Sequence, residues 1–92
     1  MYVQNVQIKN ASGLHARPAS ELVALAKGFE SQVLIRNADD PDAVAVNAKS
    51  IVRLLSAGLN AGANIQISAE GGDEQAAVNQ MVALINSGFG EG

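Results

Sequence analysis

Cysteine and tryptophan are absent from these 92 residues, and histidine occurs once. Without cysteine there is no disulfide framework and no thiolate metal site. A single imidazole makes no histidine-rich metal site either, so neither metal nor cofactor is expected. Aromatic residues reach only 3%, against 48% hydrophobic residues overall, so the core must be aliphatic. Stacking platforms of the kind that grip single-stranded nucleic acid are correspondingly scarce. Six basic residues face nine acidic ones, a formal net charge of −3, which argues against a polyanion as the main partner. No apolar run approaches the roughly 18 residues of a membrane span, and Met1 to Lys9 does not read as a signal peptide. The expectation is a soluble, cytoplasmic protein with no nucleic-acid partner and no membrane insertion.

The length fits one domain spanning 1–92, with a modest core. No linker, low-complexity segment or internal repeat interrupts it. Val6 and Ile8 alternate with Gln7 and Lys9 as in a strand, although Gln4 breaks the pattern. Asn10 to Gly13 read as loop. Pro18 suits the first turn of a helix whose apolar face is Leu22, Val23, Leu25 and Ala26, with Lys27 in its last turn and Gly28 just beyond. "QVLIR" (32–36) is a strand, "NADDPD" (37–42) is turn chemistry and "AVAV" (43–46) predicts the return strand of a hairpin. Asn47 can cap a second helix with Ala48, Ile51, Val52 and Leu55 on its apolar stripe, stopped by Gly58. "ANIQISA" (63–69) alternates cleanly between apolar and polar residues. Asp73 can cap a last helix with Val78, Met81, Val82, Leu84 and Ile85 inward, and the tail 89–92 is expected to be loose. The order β-α-β-β-α-β-α predicts a two-layer α+β sandwich, with right-handed crossovers placing the helices on one side of the sheet.

His15 lies in "NASGLHARPAS" (10–20), where strand gives way to helix. A lone histidine in such a loop is commonly just a surface residue. Its surroundings suggest more. The N–H groups of a helix's first turn lack intrahelical partners and carry the positive end of the dipole. An anion attached to the His15 ring could reach them. Arg17 offers a planar fork for phosphate oxygens. Gly13 can turn the chain and Pro18 fixes the first turn, while Glu21 should be pointed away from the anion. The loop holds no carboxylate for a triad, so hydrolysis lacks its orienting group. An imidazole can still act alone as a nucleophile and form a covalent intermediate. These features point to a phosphoryl acceptor and donor without independent turnover.

"GLHARPAS" resembles the active-site segment of the HPr family, the histidine-containing phosphocarriers of the bacterial phosphoenolpyruvate-dependent sugar phosphotransferase system. "NAKSIVRLLSAGLNAGANIQISAEGGDEQAA" (47–77) is similar to the second half of the same family in element order and in its "KSI" and "EGGDE" stretches. The resemblance implies an HPr-like open-faced β-sandwich: a four-stranded antiparallel sheet in order 1-4-2-3 with three helices on one face. It implies that His15 takes a phosphoryl group on Nδ1 from phosphorylated enzyme I and passes it to EIIA domains. Arg17 would steady the phosphate, with Ser12, Ala16 and Pro18 completing its loop. Ser50 matches a serine that a dedicated HPr kinase/phosphorylase modifies in some relatives. A docking face would combine Leu14, Ile51, Val52 and Leu55 with Lys27, Lys49 and Arg53, although helical spacing alone makes most of the apolar ones core.

Two features depart from the sugar-type pattern. The loop "NADDPDA" (37–43) looks long, and Ser12 stands where many relatives carry Asn. The end "ALINSGF" is reminiscent of the nitrogen-branch paralogue, which performs the same transfer with other partners; "KSI" is closer to the sugar branch. The sugar-type carrier is the first expectation and the nitrogen-type the second. A regulatory module acting through Ser50 and a small-molecule-binding α+β domain are further alternatives. A monomer is expected, and Met1 with a complete set of elements favours a free-standing protein.

Overall fold

The computed structural model describes residues 1–11 and 13–90. Four strands, β1 (Tyr2–Gln7), β2 (Gln32–Asn37), β3 (Val46–Asn47) and β4 (Asn64–Glu70), form one antiparallel sheet in the order β1-β4-β2-β3. Three helices, α1 (Ala16–Lys27), α2 (Ile51–Ser56) and α3 (Glu74–Asn86), and a 3₁₀ turn (Gly88–Gly90) complete the chain. The strand order, the antiparallel pairing and the three helices are those the sequence and its resemblance led us to expect.

The sheet is assembled around β4. Its partners run from Tyr2↔Ala69 to Gln7↔Asn64 on one side and from Gln32↔Glu70 to Asn37↔Ile65 on the other. Ile65, Ile67 and Ala69 point into the helical layer with Val6, Val33 and Ile35. They meet Leu22, Ala26, Val78, Met81 and Ile85 there. Burial of each Leu- or Ile-sized side chain contributes about 1.5–3 kcal/mol. Gln4 shares the inward face of β1, and its amide explains how. Its Nε2 donates to the Tyr2 hydroxyl (2.7 Å) and to Asn79 Oδ1 of α3 (3.1 Å).

Four local expectations are corrected. First, β3 covers only Val46–Asn47, not 43–46. Successive turns hold the chain away from the ladder before that point: Asp39 N–H donates to Asn37 Oδ1, Asp42 N–H to Asp40 Oδ1 and Ala43 N–H to the Asp40 carbonyl. Second, α2 starts later than Asn47. Asn47 Oδ1 accepts from Lys49 N–H in a turn of its own, and Ser50 is the N-cap, accepting from Arg53 N–H at 3.3 Å. The buried contacts are Ala48 and Leu54, with Ile51 half-buried; Val52 and Leu55 face solvent. Third, Asp73 stands at the start of α3 without capping it by a side-chain bond. Its carboxylate accepts from the N–H groups of Glu30 and Ser31 and from the Ser31 hydroxyl, tying the α1–β2 turn to the β4–α3 turn. Fourth, Phe89 is not part of a loose tail. It is 4% exposed and joins the core, held by a left-handed backbone (φ 57°) after α3. Positions 91 and 92 lie outside the described residues.

Candidate functional site

The β1–α1 loop is seated on another turn. Gly13 has φ +65°, a conformation that only glycine adopts without strain. A Cβ there would come within 2.8 Å of the Ala61 nitrogen and 2.9 Å of the Asn60 carbonyl carbon. Backbone therefore packs on backbone. Leu14 N–H donates to the Leu59 carbonyl (2.8 Å), and Asn10 Nδ2 donates to the Gly13 carbonyl (2.9 Å). The Leu14 side chain is buried in the core. It anchors the loop from below, which corrects its expected place on an exposed docking face.

His15 follows as the N-cap of α1, with extended backbone (φ −92°, ψ −162°) and an exposed ring that makes no capping bond. Its carbonyl accepts from Ala19 N–H at 2.9 Å, which closes the first helical turn. Pro18, the third helical residue, has no N–H to lose and is buried. Among the described residues, no acceptor meets the N–H groups of Ala16 and Arg17. The helix thus presents two unpaired donors and its positive pole beside an exposed imidazole.

Arg17 is exposed, but its guanidinium does not lie free at the loop. Its Nε pairs with Glu21 Oε1 one turn along the helix, at 3.7 Å. Glu21 is therefore Arg17's present partner rather than a bystander. An exposed i,i+4 pair of this kind is worth about 0–1 kcal/mol. An anion at the helix start could draw Arg17 away from it at little cost. Ser12 lies outside the described residues.

The second region expected to matter borders α2. Val52 (69% exposed) and Leu55 (44%) form an apolar i,i+3 pair on the outer side of a helix that packs on α1. Arg53 is exposed next to Val52 in the chain, and Lys27 is exposed at the end of α1. Lys49 is engaged elsewhere: its Nζ donates to the Phe29 carbonyl (2.7 Å), closing the turn after α1. Ile51 is only half exposed. Of the expected docking residues, Val52, Leu55, Arg53 and Lys27 are thus freely presented. Among the described residues no group of histidine, cysteine, aspartate and glutamate is placed to hold a metal ion.

One supporting element had no signal that pointed to the site. Asp39, in the β2–β3 loop, accepts from the backbone N–H and the side-chain amide of Asn64, both at 2.9 Å. These bonds hold its carboxyl below the usual aspartate range, the backbone bond being the larger cause. The Asn37–Asp39 spacing signals a turn, but nothing in the local sequence announces Asn64 as its partner.

A known family signature, the PTS HPr component phosphorylation site, matches residues 2–87. Phosphocarrier protein NPr of Escherichia coli is 41% identical over 88 residues, covering 96% of this chain and 94% of that protein. The multiphosphoryl transfer protein of Vibrio cholerae is 45% identical over 86 residues, which are 94% of this chain and 21% of that longer protein. The crystal structure of HPr-C-His from Thermoanaerobacter tengcongensis superposes with a TM-score of 0.91 at 43% identity, covering 100% of this chain and 99% of that one. The fold and the signature define a phosphocarrier of the phosphotransferase system. This chain belongs to the HPr family.

Proposed function

We propose that His15 is the carrier residue. Its ring accepts a phosphoryl group at Nδ1 from phosphorylated enzyme I and yields it to a histidine of an EIIA domain. The observation that supports this most is the exposed imidazole at the N-cap of α1, next to the N–H groups of Ala16 and Arg17, which meet no acceptor among the described residues. In each step the phosphorus–nitrogen bond of the donor breaks as the bond to the acceptor nitrogen forms. A neutral imidazole whose hydrogen is on Nε2 supplies the attacking lone pair. The helix start and Arg17 then receive the phosphoryl charge. No general base or orienting carboxylate is required, so the chain acts as a carrier and has no turnover of its own. Val52 and Leu55, with the exposed cations Arg53 and Lys27, form the contact surface for acidic partners. Ser50 is a second acceptor hydroxyl, open to an HPr kinase/phosphorylase; a phosphate there would add charge beside that surface. We place the protein in the cytoplasm as a monomer.

The sugar branch is our first assignment, from the "KSI" segment. The 41% identity to NPr gives the nitrogen branch independent support. Incubation with phosphoenolpyruvate and the first enzyme of each branch tests both points. The expected result is an acid-labile, base-stable phosphate on His15, absent in His15→Ala, forming faster with the sugar-branch donor. No such phosphate with either donor would refute the carrier role, and faster transfer from the nitrogen-branch donor would reverse the assignment.

A further inference from the structure

We propose that Asp39 is a positioning residue for His15, acting through the turn between α2 and β4. The inference rests on His15 being the carrier residue. Asp39 belongs to a loop that is itself fixed: its own N–H donates to Asn37 Oδ1, and Arg36 Nη1 donates to the Asp40 carbonyl at 3.4 Å. From there its two carboxylate oxygens grip Asn64, one through the backbone N–H and the other through the side-chain amide. Ala38 N–H donates to the Asn64 carbonyl at 2.8 Å, so both backbone polar groups of Asn64 are held.

Asn64 is the first residue of β4, and the turn before it is bound to the end of β1. Gly62 N–H donates to the Ile8 carbonyl and Ile8 N–H donates to the Ala63 carbonyl, both at 2.9 Å. Packed against the same turn are Gly13, in backbone contact with Asn60 and Ala61, and Leu14, bonded to Leu59. Gly13 and Leu14 directly precede His15. Beyond the Asp39 carboxylate, the chain of contact to the N-cap of α1 therefore runs through backbone, with no flexible side chain between Asn64 and Gly13. Backbone that is close-packed on both sides transmits a displacement rather than absorbing it. A shift of the turn moves the N-cap relative to the donors that must receive the phosphoryl charge. Small misplacements of a reacting group cost rate disproportionately.

The test compares Asp39→Ala, Asp39→Asn and the unaltered chain as phosphoryl acceptors from enzyme I, with backbone amide NMR on each. Asp39→Asn keeps one oxygen for the Asn64 N–H and loses the acceptor for its side-chain amide, so it should fall between the other two. For Asp39→Ala we expect kcat to drop by about three- to tenfold, with KM held within about twofold. Amide shifts should move at 60–62 and at Gly13 to His15 in the same variant. A raised KM with unchanged kcat would overturn the inference, because loss of a docking contact or of folded protein gives that pattern. So would unmoved amides at Gly13 to His15. If Asp39→Ala does not fold, Asn64→Ala, which keeps the backbone N–H bond and loses the side-chain one, should show the intermediate kcat and the amide shifts expected of Asp39→Asn. If the unaltered chain accepts no phosphate, the carrier assignment fails, while the amide shifts still decide whether Asp39 and the His15 loop are coupled.

Discussion

Gly13→Ala and Gly58→Ala form a matched pair. Both glycines have φ +65°, so either alanine carries the same left-handed strain, about 1–2 kcal/mol. Their surroundings differ. A Cβ at Gly58 meets nothing within 4 Å, whereas one at Gly13 meets backbone atoms at 2.8 and 2.9 Å. Backbone cannot rotate aside as a side chain can, so Gly13→Ala adds an overpacking cost of about 1–3 kcal/mol. Totals of about 2–5 and about 1–2 kcal/mol follow. At about 5 °C per kcal/mol for a domain of this size, Tm should fall by about 10–25 °C and about 5–10 °C respectively. Urea unfolding at neutral pH and thermal circular dichroism measure both. Phosphoryl acceptance by His15, assayed where both variants are fully folded, should be impaired in Gly13→Ala and retained in Gly58→Ala. Equal destabilisation would show that the loop does not rest on the 60–61 backbone, and the account of how His15 is held would fail with it.

Two further outcomes follow from residues away from the loop. Phe89→Ala removes a core aromatic and should cost about 3–5 kcal/mol in urea unfolding; Phe89→Gly should cost less than Phe89→Ala, because glycine relieves the left-handed backbone. A loss below about 1 kcal/mol in both would mean that the ring is not packed. Asp73, Asp39 and Glu74 all have carboxyls lowered in the folded state, chiefly by the Ser31 hydroxyl, the Asn64 N–H and the Gly71 N–H respectively. The unfolded chain then binds more protons in acid, so stability holds above about pH 5 and declines as pH falls below about 4. Asp73→Asn should flatten that decline in a pH series of denaturation midpoints; an unchanged slope would remove Asp73 from the explanation.

Much of this architecture was legible because local chemistry and tertiary structure agree. The alternation in β4 is undisturbed, and the spacing of Leu22, Val23 and Ala26 marks the buried face of α1 without ambiguity. The loop carrying His15 was legible for the same reason, since glycine, histidine and proline each act there through neighbouring backbone. The failures have two causes: partners distant in sequence, and local alternatives between which the pattern does not decide. Asn47 and Asp73 both have the chemistry of a helix cap, but the first closes its own turn and the second reaches back 42 residues to Ser31. The stripe of α2 is ambiguous in the sequence because the helix is only six residues long. With so few turns, periodicity cannot decide whether Leu54 or Val52 and Leu55 face inward. Phe89 follows a helix-stopping Gly88, and nothing local says that the chain doubles back. Arg17 was assigned by its chemistry toward phosphate, while in the free chain Glu21 competes for it.

The exposure of His15 also bears on how long a cargo would last. A phosphoryl group on this ring would stand in open water, with no lid among the described residues to exclude it. Its lifetime would be set by the chemistry of phosphoimidazole and by the few donors at the helix start. A ring left open in this way stays accessible to a docking surface. Delivery must therefore outrun hydrolysis by speed of encounter, and the dry environment for transfer must be completed by the partner's surface. On this view the carrier's abundance in the cell, as much as its affinity, decides how much of the phosphoryl flow reaches its destination.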